Sequence, residues 1–319
     1  MTSKVDSVES ARVLGLDVGK AQVALHDPVS GRTQLIANTF KALREALAAF
    51  ADYDLAVCET TGGYERAALD ACLAAGVPAH RADAARVKAF IASHGGRAKT
   101  DPIDAAWLAR YGAERGACLR RWTPPDPARA AFAALVRLRQ DTLVQRTQTK
   151  NRRAAPSCGP EAPFLDAQIV FFETQIAALD AAIDTALRQT DDLAEAETKL
   201  RAIPGIGPVA ARTLLALLPE LGALSVKQAA SLAGLAPHPR DSGQTNKRRR
   251  MTGGRQGLKP TLFMAALSAA RTHPRLKLFY NRLIEAGKPK RLALAAVARK
   301  LVVFANALLK ANDNRHALT

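Results

Sequence analysis

Long apolar runs are missing from this chain. No stretch of about eighteen apolar residues escapes interruption by charge, and Met1-Thr2-Ser3-Lys4-Val5-Asp6 has no apolar signal-peptide core. These absences argue against a membrane-spanning or exported protein, so a cytoplasmic location and no membrane partner are expected. Cysteine is scarce: Cys58, Cys72, Cys118 and Cys158 form no CxxC pair, and the six histidines never fall at zinc-ligand spacing. A disulfide framework and a zinc site are therefore not indicated. Any catalytic metal has to be held by oxygen, which suits Mg²⁺ or Mn²⁺. Aromatic residues make up only 5% of the chain, so stacking on nucleic-acid bases should be minor. Negative charge is also in short supply. With 46 Lys and Arg against 29 Asp and Glu, the net charge is +17, which makes a polyanion the default partner.

What is present divides into three regions over 319 residues, expected as domains 1–122, 123–200 and 201–319. The first alternates apolar strands with helices. Strands are predicted over Val13–Val18, Gln22–His26, Thr33–Ala37, Leu55–Glu59 and Val77–Arg81, with helices over Lys41–Ala51 and Tyr64–Ala75 and more helix after Asp83. This pattern argues an α/β layer with hairpin and crossover connections. The proline cluster at Trp122-Thr123-Pro124-Pro125-Asp126-Pro127 ends it. Two long amphipathic helices follow, one over Ala128–Arg153 with Leu135, Leu138, Thr142 and Gln145 on one face. The other, over Phe164–Leu200, carries Ile169, Phe172, Ile176, Leu179, Ile183 and Leu187 at steps of three or four. They read as an antiparallel coiled pair or dimerisation arm, or equally as a solvated helical spacer.

Four acids stand out in the first region. Asp17 lies near the end of Val13-Leu14-Gly15-Leu16-Asp17-Val18, and Glu59 closes Leu55-Ala56-Val57-Cys58-Glu59 ahead of Thr60-Thr61-Gly62-Gly63-Tyr64. The glycines there let backbone approach a substrate closely. Asp101 and Asp104, three apart in Asp101-Pro102-Ile103-Asp104, share one face at the start of a helix. If the first and fourth strands are neighbours, Asp17 and Glu59 meet at their carboxyl ends. A metal-dependent phosphoryl-transfer enzyme of the RNase H/RuvC type needs acids so placed. The plainer reading is that these are strand-end polar residues plus a helix cap with a dipole-friendly acid. Trp107, one turn from Asp104, reads as core.

In the third region, Ile203-Pro204-Gly205-Ile206-Gly207-Pro208 is a glycine-rich turn opening a helix, with the outline of a helix-hairpin-helix. Backbone N–H groups near Gly205 and Gly207 could bind a phosphate oxygen, or the turn could serve tight helix packing alone. Beyond it lies a polar, basic, glycine-rich segment, Pro237 to Lys259. Its Lys247, Arg248, Arg249, Arg250, Arg255 and Lys259 are candidate phosphate contacts, against the alternative of a basic loop without a ligand. Ser242, in Asp241-Ser242-Gly243, ordinarily marks a turn.

Taken together, Gly15-Leu16-Asp17-Val18-Gly19-Lys20, Glu59-Thr60-Thr61-Gly62-Gly63-Tyr64-Glu65 and Ala98-Lys99-Thr100-Asp101-Pro102-Ile103-Asp104-Ala105 resemble the DEDD motifs of the IS110/IS1111 family of insertion-sequence transposases. Pro204-Gly205-Ile206-Gly207-Pro208 and Asp241-Ser242-Gly243 resemble that family's second part. The likeness spans nearly the whole chain in motif order, and pilin-gene invertases share it. It implies a RuvC-like N-terminal domain, a helical coiled-coil arm and a mainly helical C-terminal domain. It further implies a metal-binding tetrad of Asp17, Glu59, Asp101 and Asp104, with Ser242 as nucleophile. Donor and target DNA, a structured guide RNA and a homo-oligomer are the implied partners. Two departures are visible: Thr60 stands where alanine is expected, and residues 153–163 are rich in proline and glycine where helix is expected. A RuvC-like structure-selective nuclease needs only the tetrad, and a nucleic-acid-binding scaffold needs neither tetrad nor serine.

Overall fold

The computed structural model describes residues 11–96, 100–238 and 250–316. The chain separates into two compact units, Met1–Pro124 and Pro125–Thr319.

The first unit is built on β1 (Val13–Val18), β2 (Gln22–Asp27), β3 (Arg32–Ala37), α1 (Phe40–Leu47), β4 (Leu55–Glu59), α2 (Arg66–Ala74), β5 (Ala79–Ala82), α3 (Ala84–Ser93) and α4 (Asp101–Arg115). Its sheet has the order β3-β2-β1-β4-β5. β2 runs antiparallel to β1 and β3, whereas β1, β4 and β5 are mutually parallel. The β1–β2–β3 meander needs only short turns, of which Asp27 closes the second. Its carboxylate accepts hydrogen bonds from the Val29 and Ser30 amides, the Ser30 hydroxyl and, at 2.6 Å, the Tyr53 hydroxyl. The parallel strands require helical crossovers, supplied by α1 and α2. This mixed sheet layered with helices is the α/β arrangement expected of the region.

Both sheet faces are covered, and the strand period of two sorts the side chains between them. Leu14, Leu16, Val18, Ala56 and Cys58 pack with Leu43, Leu47, Leu69 and Cys72 of α1 and α2. Val13, Leu55 and Val57 pack with Val87, Phe90, Leu108 and Tyr111 of α3 and α4. Trp107 joins this second layer as expected, its ring 6.3 Å from Phe90 and edge-on to it. Two glycines let α4 lie directly on the sheet. A Cβ on Gly15 would stand 1.8 Å from the Ala105 carbonyl oxygen, and one on Gly112 would meet Val13 and Val57 at 2.5 and 2.6 Å.

The second unit contains α5 (Pro127–Arg153), α6 (Ala162–Arg188), α7 (Asp191–Arg201), α8 (Pro208–Leu217), α9 (Val226–Leu232), β6 (Pro237–His238), β7 (Arg250–Met251), α10 (Leu258–Thr272), α11 (Pro274–Glu285) and α12 (Lys290–His316). Asp126 caps α5 by accepting from the Arg129 amide, with Pro127 at its first position. α5 and α6 run antiparallel, as their ion pairs show: Arg139–Asp180, Lys150–Glu173 and Arg153–Asp166 descend one helix as they climb the other. The helix expected from Phe164 to Leu200 is two, broken at Thr190, where residues 191–201 turn back into the core. The buried positions of α5 are Phe132, Val136, Thr142 and Thr149, and Leu138, expected on the inner face, is 54% exposed. Phe132, Val136, Ile183 and Leu187 share one core with Leu200, Leu214, Leu262 and Leu301. The base of the α5–α6 hairpin is built into the helices that follow.

α12 is long and apolar enough to span a membrane by length and composition over Lys290–Lys310. Its Ala293, Val297, Ala298, Leu301, Val302 and Ala305 are buried in the unit's core, the usual setting of an apolar helix in a helical domain. Asn306, also buried, accepts from the Gly222 amide and donates to the Leu224 carbonyl, pinning the α8–α9 connection.

Candidate active site

Register and packing together place the first-region acids. Leu16 on β1 pairs with Cys58 on β4, so Asp17 and Glu59 occupy the next, equivalent positions of two parallel neighbours, with strands spaced about 4.8 Å apart. By alternation each lies on the same face as Gly15 and Val57, which is the face α4 covers. α4 runs against the direction of β1: Gly112 sits over Val13 while Ala105 sits over Gly15. The N-terminus of α4 therefore points to the carboxyl ends of β1 and β4. Asp104, adjacent to Ala105 and half-buried, comes to the same edge as the half-buried Asp17 and Glu59. Asp101, exposed, lies one turn further out. The helix cap is Thr100, whose carbonyl accepts from the Asp104 amide at 2.8 Å, so capping is not the role of Asp101.

All donors at this edge are carboxylates, with no thiolate or imidazole among them, and their kind and placement fit a hard cation. Among the described residues, no three His, Cys, Asp or Glu side chains already stand in a ligating group. The nearby thiols take no part. Burial raises both Cys58 and Cys72, the latter to about 12, which leaves them protonated and inert.

Sequence reasoning missed the supports of this edge. Glu65 is buried at 3% exposure and accepts from the amides of Thr61 and Gly63 and from the Thr61 hydroxyl. Arg81 of β5 stands 3.7 Å from its other oxygen. Burial alone would raise the Glu65 carboxyl, but the hydrogen bonds from its own amide, Thr61 and Gly63 outweigh it and hold the group below its ordinary value. Asn38 was missed as well. Its side-chain amide donates to the carbonyls of Gly19, at 2.9 Å, and Tyr64, at 3.1 Å. The signal for Glu65 was its place after two adjacent glycines; Asn38 had none.

In the second unit, Gly205 has a left-handed φ of 103°, and a Cβ there would meet Ala269 of α10 at 2.5 Å. Gly205 thus has a packing reason for being glycine. Gly207 caps α8 with open space around it. Two of the expected phosphate contacts have partners within the fold. Arg255 makes a bidentate pair with Glu220 at 2.7 Å and donates to the Leu217 carbonyl. Lys259 donates to the Met251 carbonyl. Both fasten the flank of the basic segment, because a partly buried cation finds its counter-groups within the fold. Ser242, Lys247, Arg248 and Arg249 lie outside the described residues, as does the side chain of Arg250. The segment's ends, Pro237–His238 and Arg250–Met251, pair as a short antiparallel ladder.

Comparison with known proteins identifies the family. Residues 14–155 match the profile of a transposase family of the DEDD, IS110 type. Residues 197–281 match the profile described as the transposase IS116/IS110/IS902 family. The pilin gene-inverting protein of Moraxella bovis is 32% identical over 233 residues, 71% of this chain and 70% of that one. Its counterpart in Moraxella lacunata is 31% identical over 230 residues, with the same coverage. A 42 kDa protein of insertion element IS900 from Mycobacterium paratuberculosis is 31% identical over 48% of this chain and 38% of its own length. A RuvC structure from Thermus thermophilus overlaps 34% of this chain and 99% of its own at 16% identity, with a TM-score of 0.29. On the profiles and the Moraxella relatives, the chain belongs to the IS110 family of transposases and is a DNA transposase/recombinase.

Proposed function

We propose that this enzyme cuts and rejoins DNA with a carboxylate-held divalent cation and a serine nucleophile, guided by a structured RNA. The observation that carries the reading is the convergence of Asp17, Glu59 and Asp104 at one edge of the sheet, with Asp101 a turn beyond. These four would hold Mg²⁺ or Mn²⁺. A bound cation of this kind polarises a phosphoryl oxygen and stabilises the leaving oxygen.

The chain's own residues then divide the work. Asp17 and Glu59, on neighbouring strands, keep two carboxylates at a spacing set by backbone pairing, while Asp104 approaches from the helix across. Ser242 Oγ attacks the scissile phosphorus, losing its proton as the O–P bond forms and the bond to the leaving sugar oxygen breaks; that oxygen departs as a hydroxyl. The phosphoserine link conserves the bond for rejoining. Ser242 and the four acids lie far apart in the sequence, and the enzyme we propose is a homo-oligomer. Lys247 to Arg250 and the Gly207 turn contact phosphates of donor DNA, target DNA or guide RNA.

The test mixes purified protein, RNA copurified from cells carrying the intact element, donor and target DNA, and Mg²⁺, and looks on a denaturing gel for DNA attached to protein. An adduct that disappears in Ser242→Ala, and with it all rejoining, supports the serine step. Cleavage without an adduct that survives Ser242→Ala but not Asp17→Ala makes the protein a hydrolytic nuclease instead. Binding without cleavage returns the acids to structural roles.

A further inference from the structure

The strands carrying Asp17 and Glu59 end in two separate segments, and one side chain joins them. Asn38 follows β3, and its own amide donates to the Ala21 carbonyl in the β1–β2 turn. Both side-chain hydrogens are committed to carbonyls: Gly19, two residues after Asp17, and Tyr64, five residues after Glu59. These partners fix which end of the amide is nitrogen, since a carbonyl oxygen cannot accept from another. On the other side of the group, Asn38 Oδ1 is buried without a hydrogen-bond partner among the described residues. One side chain thus clamps the two loops that leave neighbouring strands at the carboxylate edge.

The segment after Glu59 is held from its other side as well. Thr60 sends both its amide and its hydroxyl to the Ala82 carbonyl of β5, at 3.1 and 3.0 Å. Glu65 gathers Thr61 and Gly63 onto one carboxylate oxygen, and the turn this makes uses left-handed glycines, Gly62 at φ 70° and Gly63 at φ 107°. Neither glycine has any atom within 4 Å of where a Cβ would be. Their conformation answers to the turn, and the turn answers to Glu65.

We propose that Asn38 and Glu65 are positioning residues, which lock the segments leaving β1 and β4 to one another and to β5 and so hold Asp17 and Glu59 at the spacing a divalent cation requires. This rests on the reading of the acids given above. Neither residue touches the cation; each acts through backbone that it fixes. The spacing of the carboxylates is set by the backbone on which they stand, so rigidity there bears on any cation they hold.

The measurement is Mn²⁺ binding to the full-length protein, followed by the electron paramagnetic resonance of free Mn²⁺, with circular dichroism to confirm the fold. Asn38→Ala is expected to fold and to bind Mn²⁺ about tenfold more weakly, the low end of what outer supports of metal ligands contribute. Glu65→Gln carries the same expectation and serves as the second variant should Asn38→Ala not fold. A folded Asn38→Ala and a folded Glu65→Gln that both bind Mn²⁺ like the unchanged chain overturn the proposal while leaving the acids' role standing. If Asp17→Ala also binds like the unchanged chain, or the unchanged chain binds no Mn²⁺, the reading of the acids falls and the proposal with it.

Discussion

Glu65 illustrates how one side chain converts sequence into geometry. Its carboxylate replaces water with three donors from a single loop, and the resulting preference for the charged form ties folding to pH. The group's folded value lies below the ordinary 4.5, so the unfolded chain binds its proton first as pH falls. The stabilisation is complete above about pH 4.5 and is lost as pH drops through the depressed value. Thermal melting from about pH 6 to pH 3 should show Glu65→Gln with a shallower acid decline than the unchanged chain. The decline will not vanish, because Asp27 is also held below its ordinary value: burial opposes this, but the Ser30, Tyr53 and Val29 donors prevail. Equal acid slopes for the two proteins would show that Glu65 is not depressed.

Among the elements, the α5–α6 hairpin and its base behave differently. At the base, Arg212 of α8 is mostly buried and bonds Asp184 of α6 at 2.5 Å and Glu197 of α7 at 2.9 Å, locking three helices where the hairpin enters the core. Farther out, the hairpin exposes apolar side chains: Val144 at 54%, Val170 at 62% and Phe171 at 58%. Apolar groups of this size left in water on a helix pair suit burial against a second copy of the chain. The expected result of Val170→Glu with Phe171→Glu is a smaller species by sedimentation velocity and a circular dichroism spectrum like that of the unchanged chain. An unchanged sedimentation coefficient would exclude these side chains from the contact of the proposed homo-oligomer.

For the whole molecule, charge decides the partner class. A net charge of +17 distributed over 46 cationic side chains favours binding to polyanions, driven by counterion release. Several of those cations also pair within the fold, Arg255 with Glu220 and Arg139 with Asp180 among them. Lys247, Arg248 and Arg249 are the proposed contacts. Replacing all three by Ala should lower the slope of log affinity for DNA against log salt by about 3, near one unit for each lost phosphate contact. Fluorescence anisotropy across a salt series measures it, and an unaltered slope would exclude these residues from the interface.

The amino-acid sequence by itself determined the strand and helix pattern of the first unit, because periodicity and proline or glycine punctuation are local. Four strands appear within a residue of their expected bounds; the fifth is observed at Ala79–Ala82, two residues late at its start, since Pro78 lacks an amide for the ladder. It also determined the polyanion-seeking charge and the acids' positions at element ends. Tertiary structure alone decided the rest. That α4 brings Asp104 to Asp17 and Glu59 depends on the side-chain-free surfaces of Gly15 and Gly112, which no local pattern announces. That Asn38 ties Gly19 to Tyr64, residues 19 and 26 positions away from it, and that Arg255 serves Glu220, 35 positions away, depends on chain segments meeting only after folding. Hydrogen bonds and ion pairs across such separations leave no period in the sequence, because their partners are chosen by the packing of the elements between them.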